Sequence, residues 1–185
     1  MIVPRAAFKE SYRMKILRIL VAVLVLLVLV ILIVPAFVDP SFRIEKSITV
    51  QAPASNVYGL IADLRAWESW NYWSTNDDTM RFQYGAVSRG PGASYRWAGA
   101  DGAGTTTILA TQVDESVDIA LDFGKRGKGK AQWTLRQANG QTELTWTFSG
   151  NAKGYMGRWF NVVIGRMMAT PMDESLAKIK ELAEA

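Results

Sequence analysis

Residues 130–149 read KAQWTLRQANGQTELTWTFS. On either side of Asn139-Gly140, apolar and polar side chains alternate: Trp133 and Leu135 before it, Leu144, Trp146 and Phe148 after it, with Gln132, Thr134, Arg136, Glu143, Thr145 and Thr147 between them. A period of two marks a strand with one buried and one wet face. Asn-Gly supplies the positive-φ pair of a two-residue hairpin turn. The stretch therefore predicts an antiparallel hairpin, and the rest of the chain must cover its apolar face.

The same reading predicts further strands over 42–50, 80–84, 93–99, 105–113 and 117–123. Turn chemistry punctuates them: Gly90-Pro91-Gly92, Asp101-Gly102 and the Gly/Lys run from Gly124 to Gly129, which reads as a solvated hairpin turn. Seven strands on short connections predict a meandering antiparallel sheet. Pro53 closes the first strand, and Ser55 or Asn56 is expected to cap a short helix reaching about Asp63, with Val57, Leu60 and Ile61 on one face. Trp67, Trp70 and Trp73 follow at spacing three, which on one helical turn makes an aromatic ridge. Its plainest role is a packed corner between short helices and sheet.

From Tyr155 the period becomes helical. Met156, Phe160, Val163 and Met167, then Met172, Leu176, Ile179 and Ala183, are assigned to one side of a long amphipathic helix. Thr170-Pro171-Met172-Asp173 looks like a cap with an acidic third residue, which predicts a kink or restart at Pro171.

Strand parity sorts the side chains by chemistry. Met80, Phe82, Tyr84, Tyr95, Trp97, Ile119, Leu121 and Phe123 join the apolar residues of the hairpin on one face; Arg81, Gln83, Ser94, Arg96, Asp118 and Asp122 join the polar ones on the other. Residues 105–113 are ambiguous in parity. A space walled by the apolar face offers two Tyr hydroxyls and three Trp N–H groups, and no charge. General acid/base catalysis needs a titratable group within reach of the substrate. The chain has no His and no Cys, so the commonest base, the commonest metal ligand and every thiolate site are missing, and no cofactor or metal is expected. The remaining catalytic candidates are Tyr84 or Tyr95 with a loop carboxylate such as Asp77.

Ahead of this domain, Ile19 to Val38 form a run of twenty residues without a charge, seventeen of them Leu, Ile, Val or Phe. As a helix it is about 30 Å long, the thickness of a bilayer's hydrocarbon core. Each apolar residue favours insertion by roughly 0.3–0.6 kcal/mol. A cleaved signal peptide has a shorter apolar region and a small-x-small site, which 35–39 does not offer. The run reads as an uncleaved anchor, with Pro35 near its far end as a kink or stop. Residues 1–18 carry Arg5, Lys9, Arg13, Lys15 and Arg18 against Glu10, which accounts for the whole net charge of +4. Everything after Arg18 sums to zero, so the 41–185 domain lacks the basic footprint of a nucleic-acid binder. Basic residues beside a span stay cytoplasmic, so the N-terminus is expected inside and the domain outside, in the periplasm of a Gram-negative cell. Asp39 to Ser41 reach only about 10 Å, which would hold the domain at the membrane surface.

The order strand, Ala52-Pro53, short helix, Trp-rich turn, antiparallel strands and long C-terminal helix resembles the SRPBCC superfamily of START-like and birch-pollen-allergen-like helix-grip proteins, and looks closest to its polyketide cyclase/dehydrase and lipid transport branch. The resemblance rests on residues 48–58, on Asp63, Trp67, Trp70 and Trp73, and on the closing helix at 172–180. It implies an α+β fold: a curved antiparallel sheet of about seven strands around the C-terminal helix, with an apolar cavity between them. The family implies lipids, polyketides or other hydrophobic molecules as ligands. The lining expected here is Trp70, Trp73, Phe82, Tyr95, Trp97, Leu121, Trp133, Trp146, Phe160 and Met167. The leading expectation is non-catalytic binding of a hydrophobic molecule or lipid at a membrane; the alternatives are a cyclase or dehydratase-like enzyme and an envelope interaction module whose cavity its own aromatics fill.

Overall fold

The computed structural model describes residues 5–151 and 154–185, and the chain divides between Val38 and Asp39 into two units. The first is a helix, α1 (Arg5–Ile33), followed by a 3-10 turn at Val34–Phe37. The segment Arg13–Phe37 is long and apolar enough to cross a membrane. Helix α1 runs without a break through Arg13, Lys15 and Arg18, which are good helix formers, so it begins well before the apolar run. It ends two residues before Pro35, whose missing N–H cannot continue the ladder.

The second unit holds a seven-stranded antiparallel sheet in the order β1-β7-β6-β5-β4-β3-β2. The strands are β1 (Ser41–Val50), β2 (Arg81–Tyr84), β3 (Ser94–Gly99), β4 (Gly102–Gln112), β5 (Ser116–Asp122), β6 (Lys128–Ala138) and β7 (Gln141–Asn151). Strands β2 to β7 are each beside the next, and β1 closes the far edge on β7. The β6–β7 hairpin turns at Asn139 and Gly140 with φ of 53° and 76°, and Ala138 faces Gln141 across it. The ambiguous parity of 105–113 has a cause: the register slips between Ile108 and Ala110. Thr106 and Ile108 are buried, while Leu109 in the bulge is half exposed.

Helix α2 (Ala54–Ile61), a 3-10 turn at Ala66–Ser69, α3 (Tyr72–Asn76) and α4 (Gly154–Ala183) cover the apolar face. Four local expectations need correction. Pro53, not Ser55 or Asn56, stands at the N-cap of α2; the Asn56 amide instead donates to the Ala183 carbonyl at 3.2 Å, tying α2 to the end of α4. The three tryptophans do not share a helical turn, because the chain turns at Trp70 between the 3-10 turn and α3. Trp67 and Trp70 pack together with ring centroids 4.8 Å apart, whereas Trp73 meets Tyr72. Helix α4 runs through Pro171 without a restart, since Pro171 and Met172 are both buried and packing holds the backbone helical.

The fourth correction concerns the first half of α4. Its buried stripe is Ile164 with half-buried Asn161 and Met168, while Phe160, Val163 and Met167 are exposed. Arg158, Asn161 and Arg166 share one side of this half, so periodicity picks the opposite face, and packing overrides it. The side chain of Met156 lies outside the described residues. In the second half the assignment holds: Met172, Leu176, Ile179 and Ala183 are buried at helical spacing. Polar clasps fasten this half to β1, with Lys46 on Asp173 at 2.9 Å and the Lys180 ammonium donating to the Thr49 carbonyl at 2.7 Å.

The loop after α2 is pinned by Asp63, which accepts from Arg89 Nε at 2.8 Å and from the Arg65 amide at 3.0 Å. Burial opposes its charge, but the hydrogen bonds from Arg89, Arg65 and Ser88 prevail and hold the carboxyl below the usual carboxylate range. A group with a lowered folded-state pKa stabilises above its unfolded value of about 3.9 and loses that contribution as pH falls through the folded value. Asp63→Asn should therefore destabilise the domain by about 1 kcal/mol at pH 7, Arg89 being largely exposed and screened. The difference from the parent chain should vanish below about pH 3, as read by urea denaturation at both pH values.

Candidate functional site

The inner face of the sheet is graded in burial from end to end. At the end beneath α2, Val50, Ile108, Val117, Leu135 and Leu144 are buried. At the opposite end, where β1 begins and β7 finishes, Phe42, Trp97, Leu121 and Phe123 are only half buried. Between them lies an aromatic floor. The Trp133 ring stacks on Trp146 across the β6–β7 pair at 4.4 Å and 21°, and Trp67 and Trp70 meet Trp133 edge-on at 6.3 and 5.6 Å. Tyr95 joins through Trp67 at 6.3 Å and Phe82 at 5.4 Å.

The half-open end is built from rings laid over glycines. An added Cβ on Gly104 would stand 2.5 Å from Trp97, one on Gly129 2.8 Å from Phe148, and one on Gly150 2.7 Å from Phe42. Trp97 is paired with Gly104, and Phe42 with Gly150, across their ladders. The missing Cβ lets each ring lie flat against the neighbouring strand, so the surface is smooth and aromatic. Phe42, Phe148, Phe123 and Trp97 form a continuous row with centroids 5.1, 6.5 and 5.9 Å apart.

Of the lining residues expected from the sequence, the fold gathers most on this face in two roles. Trp70, Tyr95, Trp133 and Trp146 are in the buried floor; Trp97, Leu121 and Phe82 are in the half-open part, and half-buried Trp73 stands apart on α3. Phe160 and Met167 are not brought to it, for the reason given for α4. Phe42, Phe123 and Phe148 belong to the row and were missing from the expected lining. The signal that would have found them is glycine inside a strand, at 104, 129 and 150, opposite or beside a ring.

The titratable candidates are separated. Tyr84 and Tyr95 are cross-strand partners with rings 5.7 Å apart. Asp77 lies beside Gly99, four residues further along β3, about 13 Å away at strand rise. Its carboxylate accepts from Thr79 and from the Ala100 amide at 2.8 Å, and these bonds hold its pKa below the usual range. The carboxylate that does reach Tyr84 is Glu68, with the Arg65 guanidinium 4.4 Å above the phenol ring. Burial first, and then Glu68, push the Tyr84 hydroxyl well above its ordinary pKa; burial pushes Tyr95 up to about 12. Both phenols are protonated at neutral pH. Asn71 is spent on capping α3, accepting from the Trp73 amide at 3.1 Å. Among the described residues no cluster of acidic side chains has the makings of a metal site.

A groove of about 790 Å³ runs over the other face of the sheet, lined by Arg43, Thr105, Thr107, Asp122, Lys128 and Lys130 among others. It is open and rimmed by charged and hydroxyl side chains, with Asp122 bound to Lys128 at 3.1 Å, although Phe42 and Leu121 reach it beside Gly129 and Gly150. The inner aromatic end has no such charged rim, so it is the better site for a hydrophobic ligand.

A seven-stranded antiparallel sheet curved around a long C-terminal helix defines the helix-grip class. The chain belongs to the family described as polyketide cyclase / dehydrase and lipid transport, whose sequence model matches residues 41–184. Solved structures share the fold at low identity. Protein CV1439 from Chromobacterium violaceum is 16% identical with a TM-score of 0.58, covering 77% of this chain and 97% of that one. SA2116 from Staphylococcus aureus, a protein of unknown function, is 11% identical with a TM-score of 0.60, covering 78% and 95%. Ms6760 from Mycobacterium smegmatis is 17% identical with a TM-score of 0.54, covering 76% and 89%. Among curated proteins, none matches the chain.

Proposed function

We infer that the protein is a membrane-anchored binder of a hydrophobic small molecule or lipid, held at the half-open end of the grip without catalysis. The observation that carries this reading is the row in which half-buried Phe42, Phe123 and Trp97 surround buried Phe148, an apolar surface left partly open on a face whose one strand charge, Lys46, is paired with Asp173. Burying about ten methylenes there contributes roughly 8 kcal/mol, and association costs at least about 4, so binding is modest in strength. The span from Ile19 to Val38 offsets this by keeping the site beside a bilayer, with the N-terminus inside the cell and the domain outside. The separation of Asp77 from Tyr84 and Tyr95 removes that carboxylate from the catalytic alternative, and Glu68, which does reach Tyr84, is exposed.

The Trp67, Trp70, Trp133 and Trp146 floor favours a second reading, a grip filled by its own rings and used as an interaction module. One experiment separates the two. The full chain, purified in nanodiscs of a single defined phospholipid, should carry a co-purifying hydrophobic molecule other than that phospholipid, detected by native mass spectrometry. Protein that is repeatedly empty and takes up no apolar dye at the Trp97 end would sink the binding reading and leave the filled grip.

A further inference from the structure

Four indoles make the floor, and they divide into two kinds. Trp67 Nε1 donates to the Ile61 carbonyl and Trp70 Nε1 to the Leu60 carbonyl, both at 3.0 Å. Trp133 Nε1 and Trp146 Nε1 are equally buried and, among the described residues, have no acceptor. A buried N–H without an acceptor costs the folded state about 1–3 kcal/mol. These two orphans are also neighbours, being the stacked cross-strand pair of β6 and β7. Two adjacent uncompensated donors in an apolar wall describe half of a hydrogen-bonded site. The chain supplies the donors and something else must supply the acceptor.

Direction follows from register. From Trp133 toward the half-open end, β6 presents Ala131 and then Gly129; from Trp146, β7 presents Phe148 and then Gly150. The way in is thus flanked by small residues, and the Phe148 ring occupies the place a Gly129 Cβ would take. The sheet end lies about 13 Å from the indoles along β6, and the Phe148 ring, over Gly129, is what a ligand coming from that end would have to displace. The charge of the acceptor follows from the wall. The one strand cation on the inner face, Lys46 opposite Trp146, is already neutralised by Asp173 at 2.9 Å, so a carboxylate at the indoles would be buried with only neutral donors left to it, a costly state.

We propose that Trp133 and Trp146 form a two-donor recognition site for a neutral carbonyl oxygen, so that the ligand is a long-chain ketone or ester bound carbonyl inward, with its alkyl part along Ala131, Gly129 and Phe148. This rests on the binding function inferred above and narrows it from hydrophobic molecules at large to those carrying an uncharged acceptor. A plain hydrocarbon of the same length fills the path but leaves both donors orphaned. An ionised fatty acid brings the acceptor at the cost of its charge.

The test uses the full chain in nanodiscs with ¹⁵N-labelled tryptophan, titrated separately with undecan-2-one and with 1-undecene. The indole cross-peaks are assigned through Trp133→Phe and Trp146→Phe. Undecan-2-one should move the Trp133 and Trp146 indole protons downfield and bind about tenfold more tightly than 1-undecene, the worth of two ordinary hydrogen bonds. The alkene should move Trp97 alone. Replacing Trp146 by the isosteric benzothienylalanine, which keeps the ring and removes the N–H, should cut the preference to about threefold without loss of fold. Equal affinities with Trp97 responding to both probes would overturn the carbonyl site and leave hydrophobic binding standing. No response at any indole would overturn the binding reading itself. Rapid exchange of the two indole protons with water in the probe-free protein would assign the acceptor to buried water and overturn the proposal.

Discussion

Trp70→Ala is expected to cost the domain about 3–5 kcal/mol, a large share of the 5–15 kcal/mol that holds a typical domain together. Its ring is buried against Trp67 and Trp133, and its N–H satisfies the Leu60 carbonyl at 3.0 Å. Truncation empties a space walled by other large rings that cannot collapse into it, and it orphans a carbonyl as well. The same change at Trp97 should cost only about 1–2 kcal/mol, because that ring is half exposed and its removal opens onto solvent instead of leaving a void. Trp97→Ala should instead abolish uptake of an apolar dye. Thermal unfolding followed by near-ultraviolet circular dichroism, with dye binding on the same samples, separates the two roles. A Trp97→Ala protein as unstable as Trp70→Ala would make the half-open end part of the core.

Leu27→Arg combined with Leu29→Arg should abolish membrane insertion. The seventeen strongly apolar residues of the run contribute roughly 5–10 kcal/mol toward insertion, and two arginines near its centre oppose that by about 5–7 while removing two leucines from the favourable side. One arginine leaves the balance favourable; two bring it near zero. A C-terminal alkaline phosphatase fusion reads insertion and orientation together. The parent fusion should be active and resist carbonate extraction, and the doubly substituted one should be inactive and extractable. An inactive parent fusion that still resists extraction would reverse the orientation. A doubly substituted chain that stays in the membrane would mean that the domain itself holds the bilayer.

Much of this fold is local and therefore readable. Each strand lies within a few residues of its predicted position because alternation and turn chemistry are properties of adjacent residues, and the Asn139-Gly140 hairpin forms with the positive φ that its composition demands. The charged residues of β2, β3, β5, β6 and β7 do fall on the outer face, whereas Lys46 of β1 lies opposite Trp146 on the inner one and is paired with Asp173. Thr147 also lies there and is nevertheless buried, because Arg43 and Glu45 of β1 close over its hydroxyl at 3.3 and 3.0 Å. That closure depends on which strand pairs at the edge, a fact 102 to 104 residues away in sequence. The bulge at Leu109 and the continuous helix through Pro171 are of the same kind: packing partners override the local pattern.

The candidate site was legible as a list of apolar residues and illegible as a place. Parity puts Trp97, Leu121, Trp133 and Trp146 on one face, but it does not tell a floor from a mouth. That distinction depends on where α2 and the second half of α4 stop covering the sheet. Periodicity also misplaced the first half of α4: Arg158, Asn161 and Arg166 on one side point to Phe160 and Met167 as the inward face, yet these face outward and Ile164 inward. Nor does composition say which indoles find a carbonyl: Trp67 and Trp70 do so in the bend after α2, and Trp133 and Trp146, on flat strands, do not.

By itself the sequence determined that the chain has an apolar run of spanning length beside a basic segment, a domain with almost no net charge, a sheet with one mostly apolar face and a C-terminal helix to cover it. Those are consequences of spacing and composition, which act between neighbours. Only the tertiary structure decided that the aromatic face is closed at one end and half open at the other, that glycines 104, 129 and 150 let rings lie flat across neighbouring strands, and that two stacked indoles keep unspent hydrogen bonds. Each of these depends on distances between residues far apart in the chain, which no local pattern encodes.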